Sequence, residues 1–140
     1  MGVRVKLRIC TESRCIETSA LVNSGFESLE PEIVIPIALA DALGIEVSNS
    51  IATYEVAGGG SVAAFRAREQ LRVGLVLDDR PCPQIPAVAS IMPGEHEVIV
   101  SDRLAHDLGI VIIDPFEGLW CLRDEIGRKV RHSVPPQHWR

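Results

Sequence analysis

Aromatic residues are scarce: Phe, Tyr and Trp make up 4% of the 140 residues, so any core must be filled by Val, Ile, Leu and Ala. An excess of basic residues is missing as well. The net charge is −5, which argues against nucleic acid as a partner, because phosphate binding draws on grouped Lys and Arg. No apolar run approaches the ~18–20 residues that span a bilayer. Met1 to Lys6 alternates like a strand and lacks the apolar block of a signal peptide, so the expectation is a cytoplasmic protein with no membrane partner. Cysteine is limited to Cys10, Cys15, Cys82 and Cys121, whose spacing fits no zinc motif, and the four histidines are scattered. No metal and no other cofactor is expected. Cys10 and Cys15 flank the turn-like Thr11–Arg14 and could face each other across two strands. Free, half-buried thiols are the first expectation, and a bridge is the second.

What is present is apolar and patterned. Hydrophobic residues are 46% of the chain, enough for one packed domain, read as residues 1–127 followed by a tail, 128–140. Residues 3–10 alternate apolar and basic, as a strand with one wet face, and 15–22 return as its partner. Glu32 to Ile35 reads as a short strand. Pro36 suits the first turn of a helix that Gly44 stops. From Ile51 to Leu77 the pattern is strand-like and broken by Gly58-Gly59-Gly60, which predicts a β-hairpin with a glycine tip. Ile85–Ile91 is another strand, with Pro83 and Pro86 setting its start at a sheet edge. Glu97–Val100 leads through Ser101-Asp102, a helix cap, into a helix ending at Gly109. Short strands at 111–114 and 119–122 follow. The tail is either a loose end or a docking strand.

Two features stand out. An apolar run, Ala20-Leu21-Val22, stops abruptly at Asn23-Ser24-Gly25, so a buried strand delivers short polar side chains to a loop. The segment at 97–110 also repeats the one at 32–45 with an offset of 65. Glu97 falls on Glu32, Leu104 on Leu39, Ala105 on Ala40, and Leu108-Gly109-Ile110 on Leu43-Gly44-Ile45. Each copy reads strand, short helix, glycine stop, an internal pseudo-repeat.

In this order, from about Val3 to Leu122, the chain resembles the retropepsin-like aspartic proteases. Ala20–Gly25 is similar to their catalytic loop, Pro36–Gly44 to the helix of the cellular and archaeal members, Gly58–Gly60 to the flap tip, and Val98–Ile110 to the last strand and helix. The resemblance implies a mainly β, closed barrel with two short helices, acting as a homodimer whose flaps close over an extended peptide. Each subunit would supply one aspartate to a pair that shares a proton. The matching position here is Asn23. An amide does not ionise at any relevant pH, so it cannot take a proton from water. Ser101 stands where the family has glycine, and Asp102 lies near an arginine of the retroviral members, leaving Glu27 without that partner unless Arg103 supplies it.

The resemblance therefore implies Asn23, Ser24 and Gly25 at a degenerate catalytic position, with Phe26, Glu27, Tyr54, Gly58, Gly59 and Gly60 lining a peptide cleft. Ser24 lacks a base to activate it, and its implied role is a hydrogen bond across the dimer axis. Tyr54 is read as packing on the flap or in the core. The leading expectation is a homodimer that binds an extended peptide segment without aspartic-protease hydrolysis. One alternative is a working endopeptidase, through another carboxylate (Glu27, Glu30 and Glu32 cluster after the loop, and Asp102 is near) or through deamidated Asn23. The other is a structural or partner-docking module using the tail.

Overall fold

The computed structural model describes residues 2–140, without the side chains of 49, 50 and 52. In chain order the strands are β1 (Val3–Cys10), β2 (Cys15–Val22), β3 (Glu32–Ile35), β4 (Val47–Glu55), β5 (Ser61–Ala67), β6 (Leu71–Leu75), β7 (Ile85–Ile91), β8 (Val98–Val100), β9 (Ile110–Asp114), β10 (Leu119–Leu122) and β11 (Arg131–His132). Helix α1 (Ile37–Leu43) follows β3 and α2 (Asp102–Leu108) follows β8. Strand pairing runs β3-β8-β2-β1-β6-β7, and a further parallel β3–β7 pairing closes the six into a mixed barrel. The β4–β5 hairpin hangs from β7, and β9, β10 and β11 form a separate three-stranded sheet. Among the described residues no helix is long and apolar enough to cross a membrane.

Alternation decides which side chains fill the lumen. Val3, Val5, Leu7 and Ile9 of β1 point inward with Ile33 and Ile35, Val98 and Val100, and Ala87, Ala89 and Ile91. Leu39, Leu43, Leu104 and Leu108 seal this core from the two helices. Trp120 is its one aromatic among fully buried members, so the core is aliphatic as the composition requires. The opposite parity of the same strands puts Val34, Ile99 and Met92 on the outer wall, where a second cluster forms with Ala64, Val62, Tyr54 and Phe26 beneath the hairpin.

The internal repeat is present in three dimensions. β2 pairs in parallel with β8 (Val22 opposite Val100) as β7 pairs with β3 (Ile91 opposite Ile35). Both helices end in a left-handed glycine, Gly44 at φ +71° and Gly109 at φ +82°, whose cap region bonds back to the carbonyls of Ala40 and Asp41 and of Ala105 and His106.

Four sequence expectations are corrected or sharpened. Pro36 is the residue before α1 rather than inside its first turn: its carbonyl accepts from Ala40 N at 3.0 Å while its ψ of 151° stays extended. The hairpin's first strand begins at Val47, ahead of Ile51. Pro86 pairs with Arg72 of β6, before the stretch of β7 where β3 and β5 join. Cys10 and Cys15 form a disulfide and are not free thiols. They are the last cross-strand pair of β1–β2, with Cα atoms 4.1 Å apart, the close spacing of a pair that exchanges no backbone hydrogen bonds. Cys82 and Cys121 are free.

The 128–140 segment docks on its own barrel. β11 extends β10, Val134 N donates to Arg4 O at 3.0 Å, and Trp139 Nε1 donates to the buried Thr18 Oγ1 at 2.9 Å. Arg131 lies over the Trp120 ring and joins Glu125 (2.7 Å) to Asp79 (2.8 Å).

Candidate active-site loop and its hairpin

β2 ends where its last core residue, Val22, is followed by exposed Asn23, and the backbone is pinned there. Asn23 N donates to Val100 O at 3.0 Å, and Asn23 O accepts from Phe26 N at 3.0 Å. The side-chain Oδ1 accepts from Gly25 N at 3.0 Å, a local turn closed by the amide itself. A Cβ on Gly25 would stand 3.3 Å from that Oδ1, a tight contact, so the glycine accommodates close approach rather than an unusual φ. Ser24 and Glu27 are exposed.

The repeat supplies an equivalent loop that the sequence reading did not single out. Met92 N donates to Ile35 O at 3.4 Å, and Glu95 N donates to Met92 O at 3.2 Å, matching the two backbone bonds of Asn23 and Phe26. Its tip residue, Met92, is buried and apolar. At the matching position one loop presents a polar side chain to solvent and the other buries an apolar one.

Phe26 and Tyr54 come together. Their rings meet edge to face, 5.9 Å apart at 89°, within the outer-wall cluster, so both are partly used for packing inside the chain. The hairpin tip is at Gly58–Gly60 as expected from sequence. Gly58 (φ +96°) and Gly59 (φ +87°) make a turn that other residues rarely adopt, closed by Val56 N to Gly60 O at 2.9 Å.

Of the acidic residues that follow the loop, Glu30, Glu32 and Asp102 have partners of their own. Glu30 reaches Arg66 at 3.7 Å. Glu32 is 3% exposed and sits under the hairpin: Oε1 accepts from Ser28 Oγ at 3.0 Å, and Oε2 accepts from Ser90 Oγ at 2.9 Å and from the Tyr54 hydroxyl. Burial, reinforced by this carboxylate, pushes the Tyr54 hydroxyl to a higher pKa than usual. Asp102 Oδ1 accepts from Ser28 N at 2.9 Å and Arg103 N at 2.7 Å, holding the loop to the start of α2. Arg103 binds Asp107 and the Leu29 carbonyl (3.2 and 3.1 Å); among the described residues it makes no ion pair with Glu27. Ser101 is fully buried, and its Oγ accepts from Leu104 N and from Glu32 N at 3.2 and 3.1 Å. It caps α2 and ties that cap to β3 in one hydroxyl.

Among the described residues no three His, Cys, Asp or Glu side chains gather closely enough to hold a metal ion.

The chain superposes on the solved retroviral protease-like domain of Ddi1 from Leishmania major with a TM-score of 0.50, over 99% of this chain and 95% of that one, at 12% identity. The fold is retropepsin-like. No protein-family model and no curated protein matches the sequence. Within this barrel Asn23 and Ser101 are each satisfied by local hydrogen bonds.

Proposed function

We infer that this chain works as a retropepsin-like homodimer that binds an extended peptide segment between the Asn23 loop and the Gly58–Gly60 hairpin, without aspartic-protease hydrolysis. The supporting observation is the amide itself: Asn23 is exposed, its Oδ1 engaged by Gly25 N, while the carboxylates of Glu32 and Asp102 are held by partners of their own. An amide accepts and donates hydrogen bonds but transfers no proton, so it suits holding a carbonyl or a water rather than cleaving a bond. Losing general acid–base action by itself costs on the order of 10²–10⁴ in rate. The asymmetry of the repeat supports the dimer reading: Asn23 is exposed where its counterpart Met92 is buried, and a second copy would bring two Asn23 loops to one cleft.

The test combines sedimentation equilibrium with incubation of denatured casein at pH 3–7, with and without pepstatin. The expected result is a dimer that retains casein peptides and produces no pepstatin-sensitive cleavage. Robust cleavage by a sample whose mass verifies Asn23 would end this reading, as would a monomer at micromolar concentration. The rival in which Glu32 replaces the lost carboxylate is disfavoured by its burial under three hydroxyls.

A further inference from the structure

We propose that Glu32 and Tyr54 form a tether that fixes the glycine hairpin against the Asn23 loop, with Glu32 as a positioning residue for the cleft. Its purpose rests on the cleft reading above; its geometry does not.

The carboxylate of Glu32 is buried without a cation and is satisfied by hydroxyls from three separate elements. Ser28 comes from the loop, Ser90 from β7 in the barrel wall, and Tyr54 from β4 of the hairpin. The Tyr54 and Ser90 oxygens are themselves 2.8 Å apart. An uncompensated buried charge is costly, and hydrogen bonds to a charged acceptor are stronger than neutral ones, so each hydroxyl is held firmly. The base of Glu32 is immobile: its N–H bonds to Ser101 Oγ, and its carbonyl accepts from Ser101 N at 3.1 Å. Glu32 is thus a fixed point on the wall.

The hairpin hangs from one side. In the described strand pairings β4 is bonded to β5, and β5 reaches the barrel at Phe65 opposite Ile91 and Arg66 opposite Ser90, with Ala64 and Val62 packed on the outer wall. Beyond those pairs, the Tyr54 hydroxyl on Glu32 and its ring on Phe26 hold β4 to the wall and to the loop. Removing the hydroxyl leaves the ring contact and frees the lever.

Hydrogen exchange measured on the full chain by mass spectrometry tests this. Tyr54→Phe keeps the ring on Phe26 and deletes one bond to a charged acceptor. Exchange across residues 51–67 should quicken about tenfold or more, while β1 and β2 stay within about twofold of wild type. Glu32→Gln, which keeps the shape and removes the charge, should give the same local pattern. Unchanged exchange at 51–67 in both folded variants overturns the tether. Uniform acceleration of all segments also overturns it, since the contact would then serve global stability only. Retention of casein peptides by wild type is scored separately: its absence counts against the peptide reading and leaves the exchange result to decide the tether.

Discussion

Asn23→Asp exchanges one amide nitrogen for an oxygen on an exposed side chain. The Oδ1 that already accepts from Gly25 N at 3.0 Å keeps its partner, and the bond becomes charge-assisted. No volume is added, so monomer stability should move by no more than about 0.5 kcal/mol. The dimer should respond far more. Two carboxylates brought face to face at 4 Å repel by about 1 kcal/mol in water and about 4 kcal/mol at an effective dielectric of 20, unless they share a proton. The variant's dimer should therefore weaken as pH rises from 4 to 7, while wild type carries no such dependence at this position. Cleavage should appear in the same acidic window, with a gain of at least ~10²–10⁴ over wild type. Sedimentation equilibrium across that pH range and pepstatin-controlled casein digestion measure both. A folded Asn23→Asp protein with pH-independent association and no cleavage would refute the inference that two such loops meet.

Three further outcomes follow from the scaffold. Reducing the Cys10–Cys15 bridge, or Cys15→Ser, releases a short loop worth about 2 kcal/mol, hence roughly 5–8 °C in Tm; a shift below the scan error would show that the bridge does not constrain the chain in solution. Glu125 is held down to about 2, first by its hydrogen bonds from Arg131, so its folded pKa is depressed. The stability it contributes is complete above the ordinary carboxylate range and is lost as pH falls toward 2. Urea midpoints between pH 5 and 2 should fall less steeply in Glu125→Gln, and parallel slopes would remove this residue from the acid limb. Trp139→Ala empties a half-buried site and leaves Thr18 without its indole donor, a loss of about 2 kcal/mol by urea titration; an unchanged midpoint would mean that the tail does not rest on β2 in solution.

Periodicity explains why the barrel could be read from sequence. Val3, Val5, Leu7 and Ile9 alternate because one face is lumen, and Gly44 and Gly109 mark helix ends because each needs a left-handed φ. The loop at Asn23 was visible because polarity breaks an apolar run. The tether was not, since Glu32, Tyr54 and Ser90 are separated by 22 and 36 positions and meet only when the hairpin folds onto the outer wall. Cys10–Cys15 was ambiguous for a different reason: pairing depends on register, and a shift of one residue would have placed the two sulfurs on opposite faces.

The repeat carries the remaining clue, in how its halves diverge. Glu32, the first residue of β3, and Glu97, just before β8, hold the same place in the repeat, yet Glu97 pairs with Arg4 at 2.7 Å while Glu32 gathers hydroxyls under the hairpin. Asn23 and Met92 likewise share backbone bonds and differ in side chain: one is polar and exposed, the other apolar and buried. A symmetric scaffold needs neither difference. Phe26, Tyr54 and Met92 belong to one outer cluster. Met92 packs beneath the hairpin while its counterpart Asn23 is open to solvent, and the proposed pairing with a second copy would place two such open positions in one cleft.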